Sequence, residues 1–282
     1  MKINTANQFN LWRSKELFTI DFASYSFSQH SFPRHFHQHY VIELVLQGTD
    51  DFYCAGKNYR AEPDQLVLIN PGEVHTGSTV ADTPLQYFSL YPDRSALEQV
   101  AAALDITIPR DFSFPKSLQR QSFLTQKLQA LADSFISGKD KLLQQEYFFV
   151  FMQELLQQKA GKPGPAPHTK DQRVKQLTDF IHLQFREDIS LQQMAGLVNL
   201  NPFHLIRLFK KNTGVSPYDY LLILRTEWAK QLLRKGYKVQ EAALEAGFYD
   251  PSHLNRSLRK IAGTSPKSFL LSKGQYRTSF NG

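Results

Sequence analysis

The sequence predicts a two-domain α+β chain. An antiparallel β-sandwich or small barrel with trailing helices comes first, and an all-α part follows. Three observations carry this. Residues 17–91 break into short apolar or alternating runs, residues 159–170 concentrate proline and glycine, and residues 201–221 recur at 250–270. A chain of 282 residues suits two domains, and an apolar fraction of 41% is enough for both cores.

The β region, residues 1–93, rests on "LFTIDFAS", "HYVIELVLQ", "DFYCAG", "QLVLIN" and "LQYFSLY". Turn clusters "AGKN", "AEPD" and "NPGE" separate them, a spacing typical of antiparallel sandwiches and small barrels. Residues 94–158 change character. Leu124, Leu128, Leu131 and Phe135 recur at helical spacing, and "KLLQQEYFFVFMQELLQQ" is a second helix, apolar over much of its surface. These helices must bury their apolar faces on the β region, on each other or on a second chain. "KAGKPGPAPHTK" (159–170) holds three prolines and two glycines and is expected to be a linker.

Residues 171–282 contain a duplication. "NPFHLIRLFKKNTGVSPYDYL" aligns without gaps to "DPSHLNRSLRKIAGTSPKSFL", with nine of 21 positions identical. Asn201 and Asp250 are expected N-caps, each followed by Pro at the first helical position. Gly214 and Gly263 end those helices. Ser216-Pro217 and Ser265-Pro266 start the next ones. Upstream lie two short helices, "ISLQQMAGLV" and "KVQEAALEAG", the first opened by a Ser190–Gln193 capping box. Asn199 and Gly247 suit the left-handed turns that follow. The pattern is two helix-turn-helix units joined by one longer helix, "YDYLLILRTEWAKQLLRKG".

Charge divides the same way. From His168 to Gly282 there are 18 Lys+Arg against 9 Asp+Glu, whereas the first 167 residues hold 15 against 17. Only the basic part is expected to meet a polyanion. Phe203, Ile206, Arg207 and Lys210 form one stripe of the first repeated helix, opposite an expected buried stripe of Leu205, Leu208 and Phe209. Ser252, Asn255, Arg256 and Arg259 match the first set in the second copy. Arg bonds guanine bidentately, Asn pairs with adenine, and apolar side chains meet a thymine methyl. Phe203, Ile206, Arg207, Ser252, Asn255 and Arg256 are therefore the expected base readers. Lys210, Lys211, Arg259 and Lys260 are the expected phosphate contacts. A plain helical bundle with a basic surface is the bland alternative.

The sequence has no apolar run long enough to span a membrane, and "MKINTANQFNLWRSKEL" lacks the core of a secretory signal. Cytoplasmic localisation is expected. The single cysteine, Cys54, is read as a small half-buried residue.

The duplicated segment, with its inter-copy helix carrying Arg225, resembles the DNA-binding domain of AraC/XylS-type transcription regulators over about 100 residues. "PRHFHQHYVIELVLQG" and "LVLINPGEVHTG" resemble the cupin-like sensor domain of that family, and the helices that follow resemble its dimerisation segment. The resemblance implies an effector-responsive regulator of promoter DNA, usually an activator. It further implies a homodimer, RNA polymerase as a partner and no enzymatic activity. It assigns base contact to the Phe203, Ile206, Arg207 and Ser252, Asn255, Arg256 sets. Asn199 departs from the family, which usually has Gly in that turn.

One stretch leaves a question open. On a single strand through "HFHQHYVIEL" (35–44), His35, His37, His39, Val41 and Glu43 would share a face. With His75 of "PGEVH" this gives an effector pocket of His35, His37, Glu43 and His75. It also gives a metal candidate of His37, His39, Glu43 and His75. Metal-binding cupins place Glu about seven residues before a Gly, but Val41 stands there before Gly48, and Glu43 is two residues late. No cofactor is therefore expected. Histidines without a ligand are a third reading. A register slip of one residue would turn Arg34 or Tyr40 inward instead. Two further alternatives are a metal-dependent cupin enzyme fused to a DNA-binding domain, and a nucleoid-type binder without effector control.

Overall fold

The computed structural model describes residues 8–80, 84–120, 122–138, 140–158, 171–271 and 278–279. The linker expected at 159–170 lies outside the described residues. Two compact units result. The first comprises Met1–Ser31, Gln38–Gly164 and Leu271–Gly282, and the second comprises Phe32–His37 and Pro165–Leu270.

Ten strands come first: β1 (Gln8–Arg13), β2 (Asp21–Phe27), β3 (Ser31–His35), β4 (Val41–Gln47), β5 (Asp50–Cys54), β6 (Lys57–Ala61), β7 (Leu66–Ile69), β8 (His75–Thr79), β9 (Leu85–Tyr91) and, after helix α1 (Arg94–Ala103), β10 (Leu118–Gln119). The larger antiparallel sheet runs β10-β7-β4-β9-β2-β1, with β11 (Thr278–Ser279) beyond β1. In the smaller sheet β5 pairs with both β6 and β8. The Thr79 N–H of β8 donates to the His30 carbonyl, just ahead of β3.

Register decides what each face of the larger sheet does. Ile42, Leu90, Phe22 and Trp12 form one cross-strand row. That face is covered by α1, α2 (Ser122–Ile136) and α3 (Lys141–Gln157). Phe22 stacks on Phe135 at 4.6 Å between ring centroids, and Leu124, Leu128 and Leu131 join the same core. The predicted helical stripe is thus the stripe that is buried. Each fully buried Leu or Phe there contributes roughly 1.5–3 kcal/mol of transfer free energy. The next row, Glu43, Ser89 and Ala23, points to the opposite face, because side chains alternate along a strand.

The single strand expected through 35–44 does not form. β3 ends at His35 and β4 starts at Val41, and residues 36–40 are irregular. Phe36 and His37 are both buried, so the alternation that placed His35, His37 and His39 on the face of Glu43 is lost. The physical reason is that the chain leaves the neighbourhood of β8 and enters the larger sheet across these five residues. Cys54, expected half-buried, is fully buried.

The second unit is helical: α4 (Gln172–Gln184), α5 (Leu191–Leu197), α6 (Pro202–Thr213), α7 (Pro217–Arg234), α8 (Val239–Glu245), α9 (Pro251–Ala262) and α10 (Pro266–Leu271). The expected local signals all operate. Asn201 and Asp250 accept the His204 and His253 N–H groups, with Pro at the first helical turn. Ser190 and Gln193 form the capping box. Ser216 and Ser265 cap α7 and α10 through the N–H groups of Asp219 and Ser268. Gly214 and Gly263 are left-handed at φ 82° and 62°.

Candidate nucleic-acid interface and effector enclosure

In the second unit, α6 and α9 each follow a short helix and a tight turn. The turns need a left-handed residue, supplied by Asn199 at φ 52° and Gly247 at φ 79°. α7 joins the two copies. Its 18 residues span about 27 Å at ~1.5 Å each, a little under the ~34 Å between successive major grooves on one face of DNA. Buried polar contacts hold α7 in place. Arg225 donates to the carbonyls of Phe185 (2.6 Å) and Glu187 (2.7 Å), and Thr226 shares a 2.8 Å hydroxyl contact with Ser257 on α9.

The expected base readers project outward. Phe203 is 79% exposed, Arg207, Ser252 and Arg256 are exposed, and Ile206 and Asn255 are half-buried. Leu205 and Phe209 are buried beneath them, whereas Leu208 sits half-buried at the edge of the stripe. The expected phosphate contacts Lys210, Lys211, Arg259 and Lys260 are all exposed. Two of these side chains have intramolecular partners: Arg259 Nε donates to Asn255 Oδ1 at 3.4 Å, and Lys260 Nζ is 3.5 Å from Asp219. Exposed, water-screened contacts of this kind exchange readily for a phosphate. Sequence reasoning passed over Tyr249, 90% exposed in the turn before α9.

The histidine-rich stretch is divided. His35 and His37 belong to the Phe32–His37 segment of the second unit. Their rings meet edge to face at 4.9 Å, and His37 Nδ1 lies 3.6 Å from Glu227 on α7, itself paired with Lys230 at 3.0 Å. Burial lowers both histidines, His35 to about 3, so both are neutral near pH 7. His39 packs edge-on against Tyr91 at 5.3 Å.

Glu43 has different neighbours. It lies on the helix-free face of the larger sheet, where the Ser89 hydroxyl donates to it at 3.1 Å. Tyr87, Ser89 and Tyr91 of β9 and Tyr25 of β2 share that face by register. From the smaller sheet, Asp50 acts on Glu43 electrostatically and accepts the Ser78 N–H at 2.8 Å. Desolvation raises both carboxyls, and Asp50 raises Glu43 further, because two like charges in one enclosure resist ionising together. His75 is on the inward face of the smaller sheet, opposite Cys54, and its Nδ1 lies 2.9 Å from the Glu73 carbonyl. Asp50, Tyr25, Tyr87, Ser89 and Tyr91 were not picked out from the sequence. The signal was there in "YFSLY" (87–91), whose alternate residues are Tyr, Ser and Tyr where the other parity is Phe and Leu.

Residues 18–158 match the family model of the AraC-like ligand binding domain, and residues 194–272 match that of a helix-turn-helix domain. The chain belongs to the AraC family. It is a DNA-binding transcription regulator with a ligand-binding domain, and the other AraC-family proteins it resembles are regulators too. It is 28% identical over 229 residues to the uncharacterised HTH-type transcriptional regulator YbfI of Bacillus subtilis, covering 79% of this chain and 81% of YbfI. It is 25% identical to the lactose operon transcription activator of Staphylococcus xylosus (86% and 84% covered) and 27% identical to the activator RhaS of Citrobacter koseri (85% and 87%). Among solved structures, fatty-acid-bound ToxT of Vibrio cholerae shares the fold, with a TM-score of 0.54, 12% identity and 97% and 98% coverage. Among the described residues, no helix is long and apolar enough to cross a membrane.

Proposed function

We propose that this regulator reads two successive major grooves with α6 and α9, under control of a small molecule held between the two sheets of its first unit. In this reading Phe203, Ile206, Arg207, Ser252, Asn255 and Arg256 contact bases, and Lys210, Lys211, Arg259 and Lys260 contact phosphates. The observation that carries it is the pair of helices capped in the same way, by Asn201 and Asp250, each projecting an arginine from its exposed face. Glu43 and His75 are the effector-pocket residues from the sequence that lie on the facing sheets, joined by Asp50, Tyr25, Tyr87 and Tyr91. Neutral, buried His35 and His37 serve α7 instead. An effector acts by favouring one arrangement of the chain over another, and its differential affinity sets the size of the response. Two relatives are named activators, which supports activation, and this reading takes RNA polymerase as the partner. Exposed Phe123 and Leu142 on α2 and α3 suit a homodimer interface. The protein is cytoplasmic and catalyses no reaction.

The deciding experiment measures binding of Arg207→Ala and Arg256→Ala to promoter and random DNA over a salt series. Each variant is expected to lose about 1–3 kcal/mol on the promoter and little on random DNA. Equal losses on both would remove the base-reading role and favour a nucleoid-type binder. The reading uses no metal. Elemental analysis of freshly purified protein is expected to find well under one equivalent of transition metal per chain, and a stoichiometric metal would revive the cupin-enzyme alternative.

A further inference from the structure

The effector enclosure has an unusual charge balance. Glu43 and Asp50 enter it from opposite sheets, and among the described residues no Lys, Arg or His lies within ion-pair distance of either carboxylate. Tyr87 is only 6% exposed, points to the face of Glu43, and its hydroxyl has no hydrogen-bond partner among the described residues. A hydroxyl with no hydrogen-bond partner among the described residues, set beside two acids on a largely buried ring, is open to bonding by a ligand. Glu43 keeps part of its surface accessible, which leaves space beside it on this face of the sheet. Aromatic rings wall that space: Tyr25 stacks on Tyr87 at 4.8 Å.

We propose that this enclosure takes a small molecule bearing a protonated amine. The proposal rests on the effector reading above. An ammonium carries three donors and no acceptor, which matches two carboxylates and an acceptor-capable tyrosine hydroxyl. Its charge offsets the like-charge repulsion of Glu43 and Asp50, and the faces of Tyr25 and Tyr87 attract a cation. An anionic ligand meets two carboxyls, and among the described residues no Lys or Arg lies within ion-pair distance of them to answer it. A neutral polyol can bond the two carboxyls but, unlike a cation, gives them no charge against which to ionise.

The test is calorimetric titration of the full-length protein with ethanolamine, putrescine and glucosamine. Glucose and lactose serve as neutral controls and hexanoate as an anionic one, all at matched ionic strength. At least one amine is expected to bind while hexanoate does not. Glu43→Gln keeps the shape and the Ser89 contact, and should weaken the amine by roughly tenfold or more, the loss of one charge-assisted hydrogen bond. Tyr87→Phe leaves both acids in place and should weaken it by a smaller factor. The proposal is overturned if no amine binds, or if sugar or hexanoate binds and the amines do not. A sugar whose binding is lost in Glu43→Gln would overturn the charge class alone and leave the effector site standing. Binding that survives Glu43→Gln would move the effector elsewhere and overturn both.

Discussion

In the first helix-turn-helix copy the turn residue is Asn199 at φ 52°, and in the second it is Gly247 at φ 79°. Both positions need a backbone that L residues rarely adopt, and Asn tolerates it better than most. Gly247 meets a second demand, since a Cβ there would sit 2.6 Å from the Arg186 carbonyl. That carbonyl belongs to the loop whose neighbouring carbonyls, Phe185 and Glu187, are held by Arg225 of α7. One loop after α4 thus touches both the joining helix and the second turn. The outward faces differ as well: Phe203 and Ile206 make that of α6 partly apolar, while Ser252 and Asn255 make that of α9 polar. The two copies keep a common scaffold and carry different chemistry on their outward faces.

The sharpest way to break this comparison is Gly247→Ala. Strain in the left-handed region and the clash with Arg186 together should cost about 3 kcal/mol of stability, read by denaturant unfolding of the full chain. Next come the arginines. Footprinting of Arg207→Ala and Arg256→Ala is expected to show each loss, about 2 kcal/mol of binding, confined to a different half-site. If the two variants blur the same half-site, the side-by-side arrangement of the copies fails. The caps follow. Asn201→Ala and Asp250→Ala should each cost about 1 kcal/mol of stability, and by similar amounts, because both side chains do the same job. The smallest effect belongs to Asn199→Gly, which should change stability by only ~0.5 kcal/mol in either direction, strain relief opposing the entropy of glycine. A large loss there would show that the Asn199 side chain does more than tolerate the turn.

The helical unit was legible almost residue by residue. Caps, capping box, left-handed turn residues and the Ser-Pro starts are local devices, completed within three or four residues of chain, so the sequence alone contains both partners. The helix over Leu124–Phe135 was legible for the same reason. The β unit was legible as a class and misread in detail at 35–44. Strand alternation holds only while a chain stays in one sheet, and nothing in "HFHQHYVIEL" says that it departs at His35 and re-enters at Val41.

By itself, then, the sequence determined the two-part architecture, the duplicated DNA-reading unit and the residues on its outer stripe, because periodicity and capping are short-range. Only the tertiary structure decided which acids meet. Glu43 and Asp50 are seven positions apart but sit in different sheets, and their encounter across the enclosure depends on two strand registers and on how the sheets face each other. It likewise separated His35 and His37 from Glu43, since long-range packing chooses which side of an irregular segment is buried. The reason why the second turn demands Gly also lies in the fold, because the Arg186 carbonyl that forbids a Cβ comes from 61 residues earlier in the chain.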